Sequence, residues 1–289
     1  MTQTIKTAIF PVAGLGTRFL PITKSEPKEM LPIIDKPLIQ YVVEEAIAAG
    51  IEHLVFVTSS NKRAIEDYFD RHYEYESRLE KQGKTKELAL VKDIIPEHVS
   101  ITYIRQANPN GLGDAILVAQ RIIGDNPFAV LLADDIIDCP PEGCLKGMID
   151  IFNQTGANVI AVQSVDPTET DQYGIVSLGD TQRYLINNVV EKPNPSKAPS
   201  NLGIVGRYVL TPGIFKQLQN IAVGVGNELQ LTDAIAGLLQ KEAVIAYPFK
   251  GRRYDCGSKA GFIEATIDFA LKRDDLKQHV LDSLKKLSL

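Results

Sequence analysis

Ala8-Ile9-Phe10-Pro11-Val12-Ala13-Gly14-Leu15-Gly16-Thr17-Arg18, continuing through Phe19-Leu20-Pro21-Ile22-Thr23-Lys24-Ser25-Glu26-Pro27-Lys28-Glu29-Met30-Leu31-Pro32, reads as a buried strand running into a glycine loop that carries one arginine and two lysines. Residues 8–13 are apolar throughout, as in a strand covered on both faces of a parallel sheet. Gly14 and Gly16 let main-chain N–H groups come close to an anion, while Arg18, Lys24 and Lys28 supply charge that glycine lacks. Pro27, Pro32 and Pro37 keep the backbone extended, so Lys28 stands on a stiff support. The segment is suited to hold a polyphosphate.

Outward from it, residues 53–58, 100–105 and 128–133 are further apolar runs. Leu38, Ile39, Val42, Val43, Ala46 and Ile47 recur at helical spacing between the first two strands, with Pro37 before them and Gly50 after. That is a βαβ unit. Residues 111–123 predict another helix leading into the fourth strand, so the first half reads as a doubly wound sheet that binds ligands at the carboxyl ends of its strands. Residues 73–96 are charged and helical in pattern, a solvated excursion. After a strand at 157–165 the pattern turns to strands at 173–178 and 184–191 and a Pro/Ser-rich stretch at 193–200, predicting a smaller β-rich subdomain. A strand at 202–210, a helix at 228–240, a strand at 243–248 and helices at 259–272 and 275–287 complete the chain. The expected fold is α/β, a Rossmann-like doubly wound mixed sheet, in a single domain over 1–289 with parts at 1–156, 157–257 and 258–289.

With 31 Lys and Arg against 36 Asp and Glu, the chain carries a net charge of −5, so a nucleic-acid partner or an anionic membrane is not expected and any anion site must be local. No apolar run approaches the roughly 20 residues needed to span a bilayer, and residues 1–6 lack a signal-peptide apolar region. A cytoplasmic protein is expected. Cys139, Cys144 and Cys256 form no C-x-x-C pair and are odd in number, so reduced thiols are expected rather than a disulfide framework or a zinc site.

Two familiar glycine-loop chemistries fit poorly. A dinucleotide loop wants a third glycine where Phe19 stands, and the complete Walker pattern, a glycine, four residues and then Gly-Lys-Ser/Thr, occurs nowhere. The whole set of blocks instead resembles the sugar-1-phosphate nucleotidylyltransferases, and among them the bacterial UTP:glucose-1-phosphate uridylyltransferases. Beyond Gly14 to Arg18 and Pro27 to Pro32, the similarity takes in Asp35-Lys36-Pro37-Leu38, Arg105-Gln106, Gly111-Leu112-Gly113, Glu191-Lys192-Pro193, Gly206-Arg207-Tyr208, Glu228-Leu229-Gln230-Leu231-Thr232-Asp233 and Asp255-Cys256-Gly257. Ala133, where Leu-Pro-Asp is often seen, and Asp114, where histidine is frequent, depart from the pattern.

The resemblance implies a nucleotide-diphospho-sugar transferase fold with a nucleotide-binding half at 1–156, a sugar-binding half at 157–257 and C-terminal helices at 258–289. It implies Mg²⁺-dependent attack of glucose 1-phosphate on the α-phosphorus of UTP, giving UDP-glucose and pyrophosphate, in carbohydrate metabolism that feeds cell-envelope polysaccharide synthesis. Such a nucleophile is already anionic, so the enzyme needs no activated serine or cysteine, only positioning and charge neutralisation. By the same resemblance Asp134 and Asp255 hold the metal. Arg18, Lys28 and Lys192 handle phosphate, and Ala13, Gly14, Gly16, Thr17, Glu29, Gln106 and Gly111 take the nucleotide. Gly174, Glu191, Lys192 and Asn201 face the sugar, while Glu228 is expected to support the site or the start of its helix. Gln106 offers an amide donor and acceptor to uracil O4 and N3–H. Mg²⁺ accepts one or two protein carboxylates with phosphate oxygens and water, so two aspartates suffice. Glu191 and Lys192 can serve one ligand only if their strand ends or bends there, which Pro193 favours.

Other bases (dTTP, CTP, ATP), galactose 1-phosphate, a catalytically silent regulatory relative and an NAD-linked oxidoreductase remain alternatives at this level. The family and the amphipathic C-terminal helices imply a homodimer or homotetramer.

Overall fold

The computed structural model describes residues 4–287, so residues 1–3 of the N-terminal stretch and 288–289 of the tail lie outside the described residues. Its strands are β1 (Thr7–Pro11), β2 (Pro32–Ile33), β3 (Lys36–Pro37), β4 (His53–Thr58), β5 (Ser100–Arg105), β6 (Phe128–Leu131) and β7 (Asp135–Asp138) in the first half. They continue as β8 (Asn158–Ser164), β9 (Gly174–Asp180), β10 (Leu185–Glu191), β11 (Leu202–Leu210), β12 (Val244–Pro248) and β13 (Arg252–Asp255). Nine of them make one sheet in the order β5-β4-β1-β6-β11-β8-β12-β10-β9. The first four run parallel, as the βαβ pattern requires. Then β11 enters antiparallel between β6 and β8, which makes the sheet mixed, and the β-rich segment supplies its far edge as β10 and β9.

Alternation along each strand feeds two cores. On β1, Phe10 packs under the helices Leu38–Ala48 and Cys144–Thr155, while its neighbour Ile9 faces the helices Leu112–Val118, Gly213–Asn220 and Leu231–Leu238. Both faces are therefore apolar, which is why the strands read as unbroken hydrophobic runs.

Some boundaries move. The ladder of β1 stops at Pro11 and that of β6 at Leu131, so Val12, Ala13 and Ala133 stay buried but already belong to the loops. The helix expected over 111–123 is two, Leu112–Val118 and Gln120–Ile123, parted at Ala119. The one expected over 228–240 contracts to Leu231–Leu238, because Glu228 is extended at φ −116°, ψ 151°. A helix-dipole role for Glu228 falls with that boundary. The excursion after Asp70 forms two exposed helices, Tyr73–Lys81 and Thr85–Lys92. All three cysteines are free thiols.

Two small ribbons lie apart from the sheet, β2 with β3 and β7 with β13. The second sets Asp255 opposite Asp135, directly after Asp134. From the tail helix Lys259–Lys272, Phe262 packs edge-on against Phe19 with ring centres 5.7 Å apart, and Phe269 against Tyr41 at 4.9 Å. The tail thereby braces the glycine loop from behind.

Candidate active site

Beyond β1 the chain turns at Gly16, whose φ of +67° and close neighbours, with an added Cβ lying 3.2 Å from both Lys28 Cβ and Thr23 Cγ2, leave room for glycine alone. Thr23 Oγ1 donates to Gly16 O at 2.9 Å and locks the turn. A cavity of about 450 Å³ opens over it, lined among others by Ala13, Gly14, Gly16, Thr17, Lys28, Gln106 and Gly111. Across the carboxyl ends of the strands lies a second cavity of about 220 Å³, with Arg18, Gly174, Glu191, Tyr173, Arg253 and Asp255 on its walls. Asp134, Leu112 and Leu132 line both. The rim at which α/β sheets bind ligands is thus one continuous cleft with Asp134 at its waist.

Lys28 Nζ lies 2.6 Å from Asp134 Oδ2, although 106 residues separate them in sequence. Burial opposes the charge on each, but the pairing prevails: the Lys28 ammonium is held above its ordinary range by Asp134 and Glu29, and the Asp134 carboxyl below its own by Lys28. Both are charged at neutral pH. Asp255 approaches from β13, its Oδ1 accepting from Gly257 N at 3.0 Å. A Cβ at Gly257 would lie 2.8 Å from Asp134 Oδ2, 3.0 Å from Asp255 Oδ1 and 3.5 Å from Arg18 Nη1, so these three groups converge on a space that only glycine leaves open.

Among the described residues no group of three or more His, Cys, Asp or Glu side chains is arranged to hold a metal. Two hard carboxylates facing one open space, beside cations suited to phosphate, nonetheless fit Mg²⁺, which takes the rest of its oxygens from substrate and water.

On the other side of Asp134, Gly174 opens β9 against the end of β10. A Cβ there would meet Thr232 Cγ2 at 2.9 Å and Glu191 Oε2 at 3.3 Å, and Thr232 Oγ1 donates to that same oxygen. The ladder of β10 ends at Glu191, and Lys192 turns into the left-handed region at φ 44°, its N–H donating to Tyr173 O at 2.9 Å. The bend leaves Lys192 Nζ 3.5 Å from Glu191 Oε1, beside the second cavity's wall, although Lys192 itself lines neither cavity.

Not every expected residue arrives. Asn201 gives its amide to Ser164 Oγ at 2.7 Å and Val165 O at 3.3 Å and lines neither cavity, so the structure does not bring it into the cleft. Glu29 is buried beneath the loop, paired with Lys62 at 2.7 Å, and also lines neither cavity. Lys24 is exposed and away from both. Arg18 lines the second cavity, beside the two aspartates. Glu228, though outside its helix, lines the first. Gln106 lines that cavity too, but its Nε2 donates to Asp114 Oδ2 at 2.6 Å and Gly111 O at 3.2 Å, so its amide does not offer both functions to a ligand.

Arg253, Tyr173 and Thr232 are the residues that sequence reasoning missed. Arg253 Nε donates to Asp135 Oδ1 at 2.6 Å and Nη1 to Tyr173 OH at 3.3 Å. Burial disfavours the guanidinium charge, yet Asp135 and Tyr173 keep its pKa raised. Asp135 in turn accepts from Gly206 N at 3.0 Å, while buried Arg207, paired with Glu45 at 2.7 Å, donates to Asp135 O at 2.8 Å and Leu132 O at 3.2 Å. Asp135 is therefore a strut, with both carboxylate oxygens engaged by Gly206 and Arg253. A usable signal existed: Arg253 and Asp255 are two apart on one strand and so share a face.

A family model for nucleotidyl transferases matches residues 7–271. The chain is 51% identical over 287 residues to UTP–glucose-1-phosphate uridylyltransferase 2 of Staphylococcus saprophyticus, covering 99% of both chains. With the UTP–glucose-1-phosphate uridylyltransferase of Bacillus subtilis it shares 50% over 285 residues, covering 98% of this chain and 97% of that one. Among solved structures, UTP-bound UGPase from Acinetobacter baumannii superimposes with a TM-score of 0.91 at 43% identity, covering 98% of this chain and all of that one. A UDP-glucose pyrophosphorylase complexed with UDP-glucose gives 0.84 at 45% identity, covering 93% of this chain and all of that one. No described helix is long and apolar enough to cross a membrane. Matched along nearly its whole length in both sequence and fold, the chain belongs to the nucleotidyl transferase family, on the branch of the UTP–glucose-1-phosphate uridylyltransferases.

Proposed function

We propose that this protein transfers the uridylyl group of UTP to α-D-glucose 1-phosphate, releasing pyrophosphate and leaving UDP-glucose, with Mg²⁺ held by Asp134 and Asp255. The observation that carries the reading is the single cleft in which a glycine-loop cavity and a smaller polar cavity meet at Asp134. UTP fits the first, with its α-phosphorus at the waist, and the sugar phosphate fits the second.

A phosphate monoester has its second pKa near 6, so the attacking oxygen arrives as an anion and needs no general base. Its new bond to the α-phosphorus forms as the bond from that phosphorus to the β-phosphate oxygen breaks, and pyrophosphate leaves with that electron pair. The chain's work is to hold two mutually repelling anions in line. Lys28 is pinned by Asp134, and an incoming phosphate oxygen takes that carboxylate's place beside the ammonium. Arg18 stands beside the two aspartates on the wall of the second cavity, where charge builds on the five-coordinate phosphorus. Lys192 beside Glu191 meets the sugar phosphate, and Glu191, held by Thr232, accepts from sugar hydroxyls. Bound Mg²⁺ would neutralise phosphate charge at Asp134 and Asp255.

The test is pyrophosphate release from UTP and glucose 1-phosphate, with and without Mg²⁺, beside Asp134→Ala. Metal-dependent turnover that collapses in the variant supports the reading; binding of UDP-glucose without turnover of any nucleotide would replace it with a regulatory role. A homodimer or homotetramer in the cytoplasm belongs to the same proposal. Exposed Ile263 and Ile267 on the tail support self-association, and light scattering checks it.

A further inference from the structure

Gln106 is 6% exposed, yet it reaches the base side of the nucleotide cavity next to Ala13, Gly14 and Gly111. An amide has two ends of opposite character, and which end faces a ligand decides which bases it accepts. Here the neighbours settle the matter. The carboxylate of Asp114, at 2.6 Å, and the carbonyl of Gly111, at 3.2 Å, can only accept, so the end between them is the NH₂ and both of its hydrogens are used. Oε1 is left, and it makes no hydrogen bond among the described residues. Asp114 itself is fixed in the first turn of the helix Leu112–Val118, where a carboxylate is favoured by the helix dipole.

Building on the uridylyl-transfer reading, we propose that Asp114 is a specificity-determining positioning residue: it holds Gln106 so that only an acceptor meets the N3 edge of the base, admitting the imides uracil and thymine and rejecting cytosine. Uracil and thymine carry N3–H and donate to Oε1. Cytosine carries a lone pair at N3, which would face the lone pairs of Oε1 and leave a buried acceptor unpaired. A glutamine free to turn its amide over would serve either base, with Nε2 donating to cytosine N3 and Oε1 accepting from its amino group. Rejecting cytosine in this way needs the amide locked, and Asp114 is the lock.

The experiment compares kcat/KM for UTP, CTP and 3-methyl-UTP in the wild type, Asp114→Ala and Asp114→Leu, the last replacing the acceptor with an apolar group. In the wild type, UTP is expected to exceed both analogues by a hundredfold or more, toward the roughly 10⁴ or greater by which sites built around a ligand's hydrogen bond reject analogues lacking it. In either folded variant the UTP-to-CTP ratio should fall by about tenfold or more while UTP turnover falls less, a shift that simple loosening of the site does not produce. Folded variants that keep the wild-type ratio overturn the proposal. So does a wild type that uses CTP or 3-methyl-UTP as well as UTP, and that arm decides if neither variant folds. Absence of pyrophosphate from UTP in the wild type would be a different result, the failure of the underlying reading.

Discussion

Arg253 clasps Asp135 across the β7–β13 ribbon, its Nε donating to Oδ1 at 2.6 Å, so the strand that presents Asp255 is tied to the loop that presents Asp134. Neither residue needs to touch substrate for this to matter. Groups that orient metal ligands change affinity or activity by about 10- to 100-fold when lost. Arg253→Lys keeps the charge and loses the planar fork that reaches Asp135 and Tyr173 together. Activity at saturating Mg²⁺ should fall by roughly tenfold, and half-maximal Mg²⁺ should rise by a similar factor. A metal titration of pyrophosphate release reads both, and an unchanged Mg²⁺ requirement would show that the ribbon holds its shape without the clasp.

That clasp also shows where sequence reading stops. The parallel strands and the glycine loop were legible because they depend on local features, an apolar run with glycines just after it, whereas Asp134 was singled out by the family resemblance. The end of β10 at Glu191 was legible too, since Pro193 takes a donor from the ladder, but the left-handed turn at Lys192 was not, because a residue before proline favours extended backbone. Arg253 carried a period-two relation to Asp255, but which face of β13 turns inward depends on its pairing with β7, and nothing local fixes that pairing. Asp114 stood out only as a departure, because its partner Gln106 lies on the far side of a loop. Asn201 stays outside the cleft for the opposite reason. Its surroundings are set by strand neighbours, Ser164 and Val165, that claim the amide first.

Gly174 is tightly enclosed on the wall of the second cavity. An added methyl would press on Thr232 Cγ2 at 2.9 Å and Glu191 Oε2 at 3.3 Å, and the hydrogen bond between these two leaves neither free to retreat alone. Overpacking of this sort costs about 1–3 kcal/mol. Gly174→Ala is expected to raise KM for glucose 1-phosphate by about tenfold or more and leave KM for UTP within about twofold, given that 1.4 kcal/mol is tenfold. Initial-rate kinetics with each substrate varied separately will tell; an equal rise in both constants would place the damage in the whole cleft.

Beneath the loop, the Lys62 and Glu29 side chains are 2% and 1% exposed and meet at 2.7 Å, while Glu29 Oε1 has no hydrogen-bond partner. Burial drives the Glu29 carboxyl pKa up, against the pull of Lys62 and Lys28. Removing one partner of such a pair leaves an uncompensated buried charge and costs about 3–5 kcal/mol. Lys62→Met should therefore lower stability to urea by several times the ~0.5 kcal/mol typical of surface changes. Adding Glu29→Gln, which removes the charge, should return most of the loss. Equal stability of the single and double variants would mean that Glu29 takes up a proton at little cost.

His53 sits on β4 with Nε2 2.8 Å from Thr102 Oγ1 of the neighbouring β5, and partial burial holds its pKa below the ordinary histidine value. Above about pH 6.5 the imidazole is neutral in both the folded and the unfolded chain and adds no pH dependence. As the pH falls below that, the unfolded chain takes up the proton first, so stability declines with acidity until the lowered folded pKa is passed, and is flat in this group beyond it. His53→Gln removes the titration while keeping a polar partner for Thr102. The drop in melting temperature between pH 7.5 and pH 5.5 should be smaller in the variant than in the wild type, with the two curves closest at the alkaline end. Parallel curves across that window would assign the acid sensitivity to other groups and leave His53 as a neutral strand contact.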